Sequence, residues 1–81
     1  MGDTHQQVAE CLDLKGEVCP YTFVKSKLAL EEMESGRVLR VIVDNRGSAE
    51  NVPRSLSSEG HRILGVVKLN DTDWAISVEK A

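Results

Sequence analysis

The run VLRVIVD, residues 38–44, is almost unbroken in aliphatic, mostly β-branched side chains. A run of this kind marks a strand buried on both or most of its faces, because a half-exposed strand alternates apolar with polar residues. Such a strand needs other elements to cover it, and the chain has only 81 residues to supply them. That length accommodates one small domain with a modest core.

The flanking segments identify the cover. ECLDL (10–14) is short and alternating, a strand that Gly16 ends. Pro20 to Ser35 has no internal Gly or Pro and is rich in Leu, Ala, Glu and Lys, which predicts a helix stopped by Gly36. In NRGSAENVPRSLSSEGH, Ser48 reads as a helix cap, Ala49, Val52 and Leu56 follow at helical spacing, and Gly60 is the stop. Pro53 is tolerable there only within the first turn or two, since it lacks an N–H and its ring clashes one turn back. RILGVVKL (62–69) and WAISVEK (74–80) read as strands joined by the polar turn NDTD, hence an antiparallel pair. The order strand, helix, strand, helix, strand, strand predicts an α+β two-layer sandwich, a four-stranded mixed sheet with two helices on one face. Residues 1–9 read as a loose N-terminal tail and 10–81 as the domain.

Composition excludes several classes. Thirteen acids outnumber ten Lys and Arg, and the bases are scattered singly, which argues against direct nucleic-acid binding. No apolar run approaches the roughly 18 residues of a membrane span. The start MGDTHQQVAE lacks the basic and apolar segments of a secretion signal, and Gln6 stands where a myristoylation signal wants Ser or Thr. The expectation is a cytoplasmic protein with no membrane insertion. Cys11 and Cys19 are not spaced as CxxC, and with His5 and His61 they form no recognisable zinc spacing, so no metal site is expected.

GEVCPYTFVK (16–25) places a cysteine directly before a proline where a helix begins. A residue before proline is pushed to extended dihedrals, which a helix cap also requires, and proline is favoured at the first helical position. The pattern therefore predicts Cys19 as cap and Pro20 as first helical residue, with the backbone N–H groups of Tyr21 and Thr22 as donors to sulfur. A neutral thiol accepts poorly; a thiolate at the positive end of a helix accepts well, and its pKa falls. The competing reading is a small buried hydrophobe that happens to precede proline. Cys11, within a strand and without a basic neighbour, reads as structural.

The first helix is apolar on two sides. Phe23, Ser26, Leu30 and Met33, with Ala29 at the edge, form the longer stripe and are assigned to the core. Tyr21, Val24 and Leu28 are left outside, either packing beside the second helix or forming a docking patch next to Cys19. Lys25 and Lys27 are candidates for steering an anionic partner.

With LDLKGEVCPYT…KLALEEMESG, VLRVIVDN and NVPRSLSSEGH, the chain resembles the TusA/SirA/YedF family of small sulfur-carrier proteins from about Leu12 to Lys80. The resemblance implies the two-layer fold above and a persulfide carried on Cys19. It also implies a sulfur donor such as a cysteine desulfurase, a rhodanese or a thiosulfate source, and an acceptor such as a DsrE-type protein. Family branches serve tRNA thiolation, molybdenum-cofactor sulfuration, sulfur oxidation, and thiosulfate or selenium metabolism. The family motif is Cys-Pro-any-Pro; here Thr22 replaces the second proline, restoring a backbone N–H and adding a hydroxyl. The loop DNRG (44–47) replaces two acids and a proline of many relatives. Asp44 and Arg46 are candidate partner or anion contacts there, Arg46 being otherwise a plain exposed charge. His61 reads as a helix-end partner rather than a base.

The mechanism this implies is sulfur transfer by two thiol exchanges at Cys19, with no metal or organic cofactor and the persulfide as covalent intermediate. It describes a carrier rather than a free-standing enzyme. The alternatives are a non-catalytic interaction or regulatory module docking through Tyr21, Val24 and Leu28, and a redox protein using a Cys11–Cys19 bond.

Overall fold

The computed structural model describes residues 8–81. Its elements are β1 (Val8–Asp13), α1 (Tyr21–Glu31), β2 (Val38–Val43), α2 (Arg46–Ser58), β3 (Arg62–Lys68) and β4 (Trp74–Glu79). The four strands lie in the order β1-β2-β4-β3; β1 and β2 are parallel, and β4 is antiparallel to both of its neighbours. The expected α+β sandwich is the observed one.

The strand read as most buried lies between two neighbours. Pairing puts Leu39, Val41 and Val43 of β2 on the same face as Val78, Ile76 and Trp74 of β4. The helices cover that face. Leu30 of α1 and Ala49, Val52 and Leu56 of α2 complete the core with Leu14, while Phe23, Ala29 and Met33 pack at its margin. The stripe assigned to the core on α1 is the buried one, and Thr22 joins it on the same side as Ser26 and Leu30. Arg40 and Ile42 share the opposite face of the sheet with Ser77 and Ala75.

Three element limits differ from the sequence expectation by two residues or more. The strand β1 starts at Val8, so residues 8 and 9 belong to the sheet rather than to a tail; residues 1–7, including His5, lie outside the described residues. Helix α1 ends at Glu31 rather than Ser35, because the next amides reach back only three residues, Glu32 to Ala29 and Met33 to Leu30. Helix α2 starts at Arg46, capped by Asn45 and not by Ser48. Pro53 consequently lies two turns inside α2, where it removes the N–H that the Ala49 carbonyl would otherwise receive. The far end of α2 is as expected. Gly60, at φ +100°, and His61 turn their N–H groups back to the carbonyls of Ser57 and Leu56, a left-handed stop that glycine adopts without strain.

Candidate functional site

Cys19 lies on the loop between β1 and α1, and the junction of β2 with α2 holds that loop in place. Leu14, buried, continues the β1–β2 pairing through its N–H to the Ile42 carbonyl at 2.8 Å. The chain then turns at Gly16, whose φ of +93° lies in the left-handed region that favours glycine. The Gly16 N–H donates to Asp44 Oδ2 at 2.9 Å, and the next residue's carbonyl, that of Glu17, accepts from Asn45 Nδ2 at 3.0 Å. The same Asn45 side chain accepts from the Ser48 N–H at 2.8 Å, which caps α2. One asparagine therefore sets the start of α2 and the path of the cysteine loop together.

The cap geometry expected at Cys19 is not the observed one. Val18, not Cys19, closes the first turn: its carbonyl accepts from the N–H of Tyr21 at 2.8 Å and of Thr22 at 3.3 Å. Pro20, joined to Cys19 by a cis peptide bond, occupies the flanking position at φ −90°, and the first helical residue is Tyr21. The amides of Tyr21 and Thr22 are thus committed to a carbonyl and are not the donors to sulfur.

Side-chain hydroxyls take that place. Cys19 Sγ lies 3.4 Å from Thr22 Oγ1 and 3.6 Å from Ser48 Oγ, and the two oxygens are 3.0 Å apart. Thr22 and Ser48 are wholly buried, whereas Cys19 is half-buried. The Thr22 hydroxyl, against the opposing effect of burial and with help from Ser48 and Asn51, holds the Cys19 thiol below its ordinary pKa. Ser48 and Asn51, one turn apart on α2, were not read as site residues from the sequence.

The other candidates divide. Val18, Tyr21 and Leu28 are more than half exposed, at 56%, 58% and 55%, and Val24 is exposed beside them, so the outer stripe of α1 does not pack against α2. Lys25 is bound to Glu17 at 2.7 Å and Lys27 to Glu59 at 3.6 Å. The lysines expected to steer an anion are therefore compensated in place. Arg46 points outward, 3.6 Å from Glu50 one turn on, as a plain surface charge. Asp44 serves as the anchor of Gly16. His61 Nδ1 accepts the N–H of Ala81 at 3.1 Å, beyond the end of β4, so the ring is not the helix-end partner expected; only the His61 backbone N–H meets the end of α2, at the Leu56 carbonyl. Cys11 is exposed, but β1 pairing places it opposite Arg40 on the uncovered face of the sheet, away from Cys19. Both thiols are free. Among the described residues no cluster of three or more His, Cys, Asp or Glu is placed to hold a metal ion, and no helix is long and apolar enough to cross a membrane.

What this arrangement offers chemically is a half-buried sulfur at Cys19, favoured as an anion by neutral donors that exposed Cys11 lacks among the described residues, beside exposed apolar side chains. A thiolate is the attacking form in sulfur chemistry, and a low-pKa thiol is also the better leaving group.

Comparison with known proteins agrees with that chemistry. The family model for sulfurtransferase TusA matches residues 10–80. A protein of Archaeoglobus fulgidus named as a sulfur carrier is 51% identical over 71 residues, covering 88% of this chain and 81% of the relative. The Escherichia coli protein TsuB, also named as a sulfur carrier, is 36% identical over 74 residues, covering 91% of this chain and 99% of its own length. The crystal structure of a SirA-like protein from Desulfitobacterium hafniense superimposes with a TM-score of 0.76 at 27% identity, over 86% of this chain and 95% of that one.

Proposed function

The chain belongs to the TusA sulfurtransferase family of sulfur carriers, and on that premise we propose that it holds sulfane sulfur as a persulfide on Cys19 and relays it between protein partners. The observation that carries the reading is the placement of Cys19 Sγ, half-exposed yet within hydrogen-bonding reach of two buried hydroxyls on two helices. In the loading step the Cys19 thiolate attacks the terminal sulfur of a donor persulfide, and the donor departs as a thiolate. In the handover an acceptor thiolate attacks the outer sulfur and Cys19 departs in turn. Both are thiol exchanges whose rates follow thiolate fraction and leaving-group pKa. They need no metal and no organic cofactor.

The donor in this reading is a cysteine desulfurase, a rhodanese or a thiosulfate-derived source, and the acceptor a thiol protein such as one of DsrE type, all in the cytoplasm. The rim of Val18, Tyr21, Val24 and Leu28 is the surface on which such partners settle. That rim also suits the alternative of a docking module in which the thiol is incidental. Intact-mass measurement after incubation with a persulfide donor, and separately with thiosulfate, distinguishes the two. Wild type and Cys11→Ser should gain the mass of a sulfur atom and pass it on, and Cys19→Ser should do neither. Full function in Cys19→Ser would eliminate the carrier and leave the docking module.

A further inference from the structure

We propose that Thr22 and Ser48 are catalytic residues of the handover, their hydroxyl groups donating hydrogen bonds to Cys19 Sγ as it leaves the persulfide. The inference rests on the carrier reading and assigns the donors that the backbone amides do not supply.

The first argument concerns where helical hydroxyls normally turn. Serine or threonine inside a helix commonly donates to the carbonyl one turn back. Ser26, on the same helix as Thr22 and equally buried, does so: its Oγ donates to the Thr22 carbonyl at 2.7 Å. Thr22 and Ser48 behave otherwise. Among the described residues, the partners of their hydroxyls are each other, at 3.0 Å, and the sulfur, at 3.4 and 3.6 Å. Both residues have no exposed surface, so water does not serve them as an alternative.

The second argument is a proton count. Each hydroxyl has one proton to give and lone pairs to receive, and a thiol has one weak proton. With Cys19 protonated, the three groups close a ring in which each donates once. With Cys19 ionised, sulfur gives nothing, and a hydroxyl proton gains a charged acceptor, the stronger kind of hydrogen bond. In the persulfide, Sγ is a neutral bridging sulfur and a poor acceptor. The contact therefore strengthens as charge develops on Sγ, which is the condition for accelerating a step rather than merely binding its reactant.

In that step the acceptor's thiolate sulfur forms a bond to the outer sulfur, and the bond from the outer sulfur to Cys19 Sγ breaks. The electron pair of the broken bond stays on Sγ. The transferred sulfur leaves with its own proton, now as a persulfide of the acceptor, and no external oxidant or reductant takes part. Thr22 reaches the leaving atom from α1 and Ser48 from α2, so the charge is received between the two helices.

The test uses the full chain with Cys11→Ser, so that one thiol reports, carrying in addition Thr22→Val, Ser48→Ala, Thr22→Ser or Ser48→Thr. The pH profile of Cys19 alkylation by iodoacetamide is measured first. Sulfur is then loaded at alkaline pH, where every variant is ionised, and transfer to dithiothreitol is followed by intact mass at neutral pH. Thr22→Val and Ser48→Ala should each raise the alkylation midpoint by roughly one pH unit and slow handover roughly tenfold. Thr22→Ser and Ser48→Thr, which keep a hydroxyl, should stay near the parent. Parent-like midpoints and handover rates in both hydroxyl-free variants would overturn the assignment while leaving the carrier intact. Failure of the parent to load sulfur would overturn the carrier, and the handover role with it. Should a hydroxyl-free variant not fold, side-chain NMR signals of Thr22 and Ser48 in the parent decide the matter: they should titrate with the Cys19 midpoint, and independence from it refutes the contact.

Discussion

Replacing Asp44 by alanine should loosen the cysteine loop without touching the sulfur. Asp44 Oδ2 accepts the Gly16 N–H at 2.9 Å, a bond that joins residues 28 apart in the chain. Hydrogen bonds to a charged group are worth about 1.5–3 kcal/mol. This one is solvent-exposed and water replaces the lost acceptor, so a value at or just below the bottom of that range, about 1–1.5 kcal/mol, applies. For a domain of this size each kcal/mol moves Tm by roughly 4–8 °C, which puts Asp44→Ala about 4–12 °C below the parent. Asp44→Asn keeps an acceptor of the same shape without the charge and should lose about half as much. Thermal and urea unfolding measure the stability, and amide exchange at Gly16 reports the bond itself. The reasoning is refuted if Asp44→Ala melts with the parent and Gly16 exchanges as slowly as before. Such a result, accompanied by loss of transfer to a protein acceptor, would return Asp44 to the partner contact that its place at a strand end suggests.

Gly16→Ala should destabilise the fold by about 1–2 kcal/mol through backbone conformation alone, since φ is +93° and an added Cβ would meet nothing within 4 Å; urea unfolding measures it. Leu56→Ala, at a wholly buried position, should lower the unfolding free energy by about 2–5 kcal/mol in the same assay. Tyr21→Ser and Leu28→Ser should change stability by no more than about 0.5 kcal/mol, yet slow transfer to a protein acceptor while leaving transfer to dithiothreitol alone. The lowered pKa of Cys19, owed first to the Thr22 hydroxyl, adds stability that is fully present above the unfolded thiol's pKa of about 8.5 and is lost as pH falls through the folded value. Unfolding free energy in the Cys11→Ser background should therefore rise between neutral pH and about 8.5, and Cys19→Ser should abolish the rise.

The fold was legible because its signals are local or periodic. The unbroken run of β2 needs burial whatever surrounds it, and a turn as polar as NDTD between two strands leaves them little choice but to pair. Spacing showed two apolar stripes on α1, and the greater length of one identified the core-facing side. The site was legible only at its central atom. Both Asn45 and Ser48 are capping residue types three positions apart, and periodicity does not say which one caps; once Asn45 does so, the Ser48 hydroxyl is released toward sulfur. That Thr22 meets Ser48, 26 residues on, depends on how the two helices lie against each other, a non-local fact with no sequence period. The mistaken cap at Cys19 has a similar origin. Local dihedral preference favours it, but the Val18 carbonyl competes for the same amides and takes them.

The Thr22–Ser48 contact spans the seam between α1 and α2, and that has a bearing on how such a protein evolves or is engineered. An atom's acidity is here a readout of alignment between two rods. On the proposed handover, substitutions that slide or tilt one rod against the other, at buried Val52 of α2 or at the Lys27–Glu59 pair, should retune reactivity without altering any group that touches the sulfur.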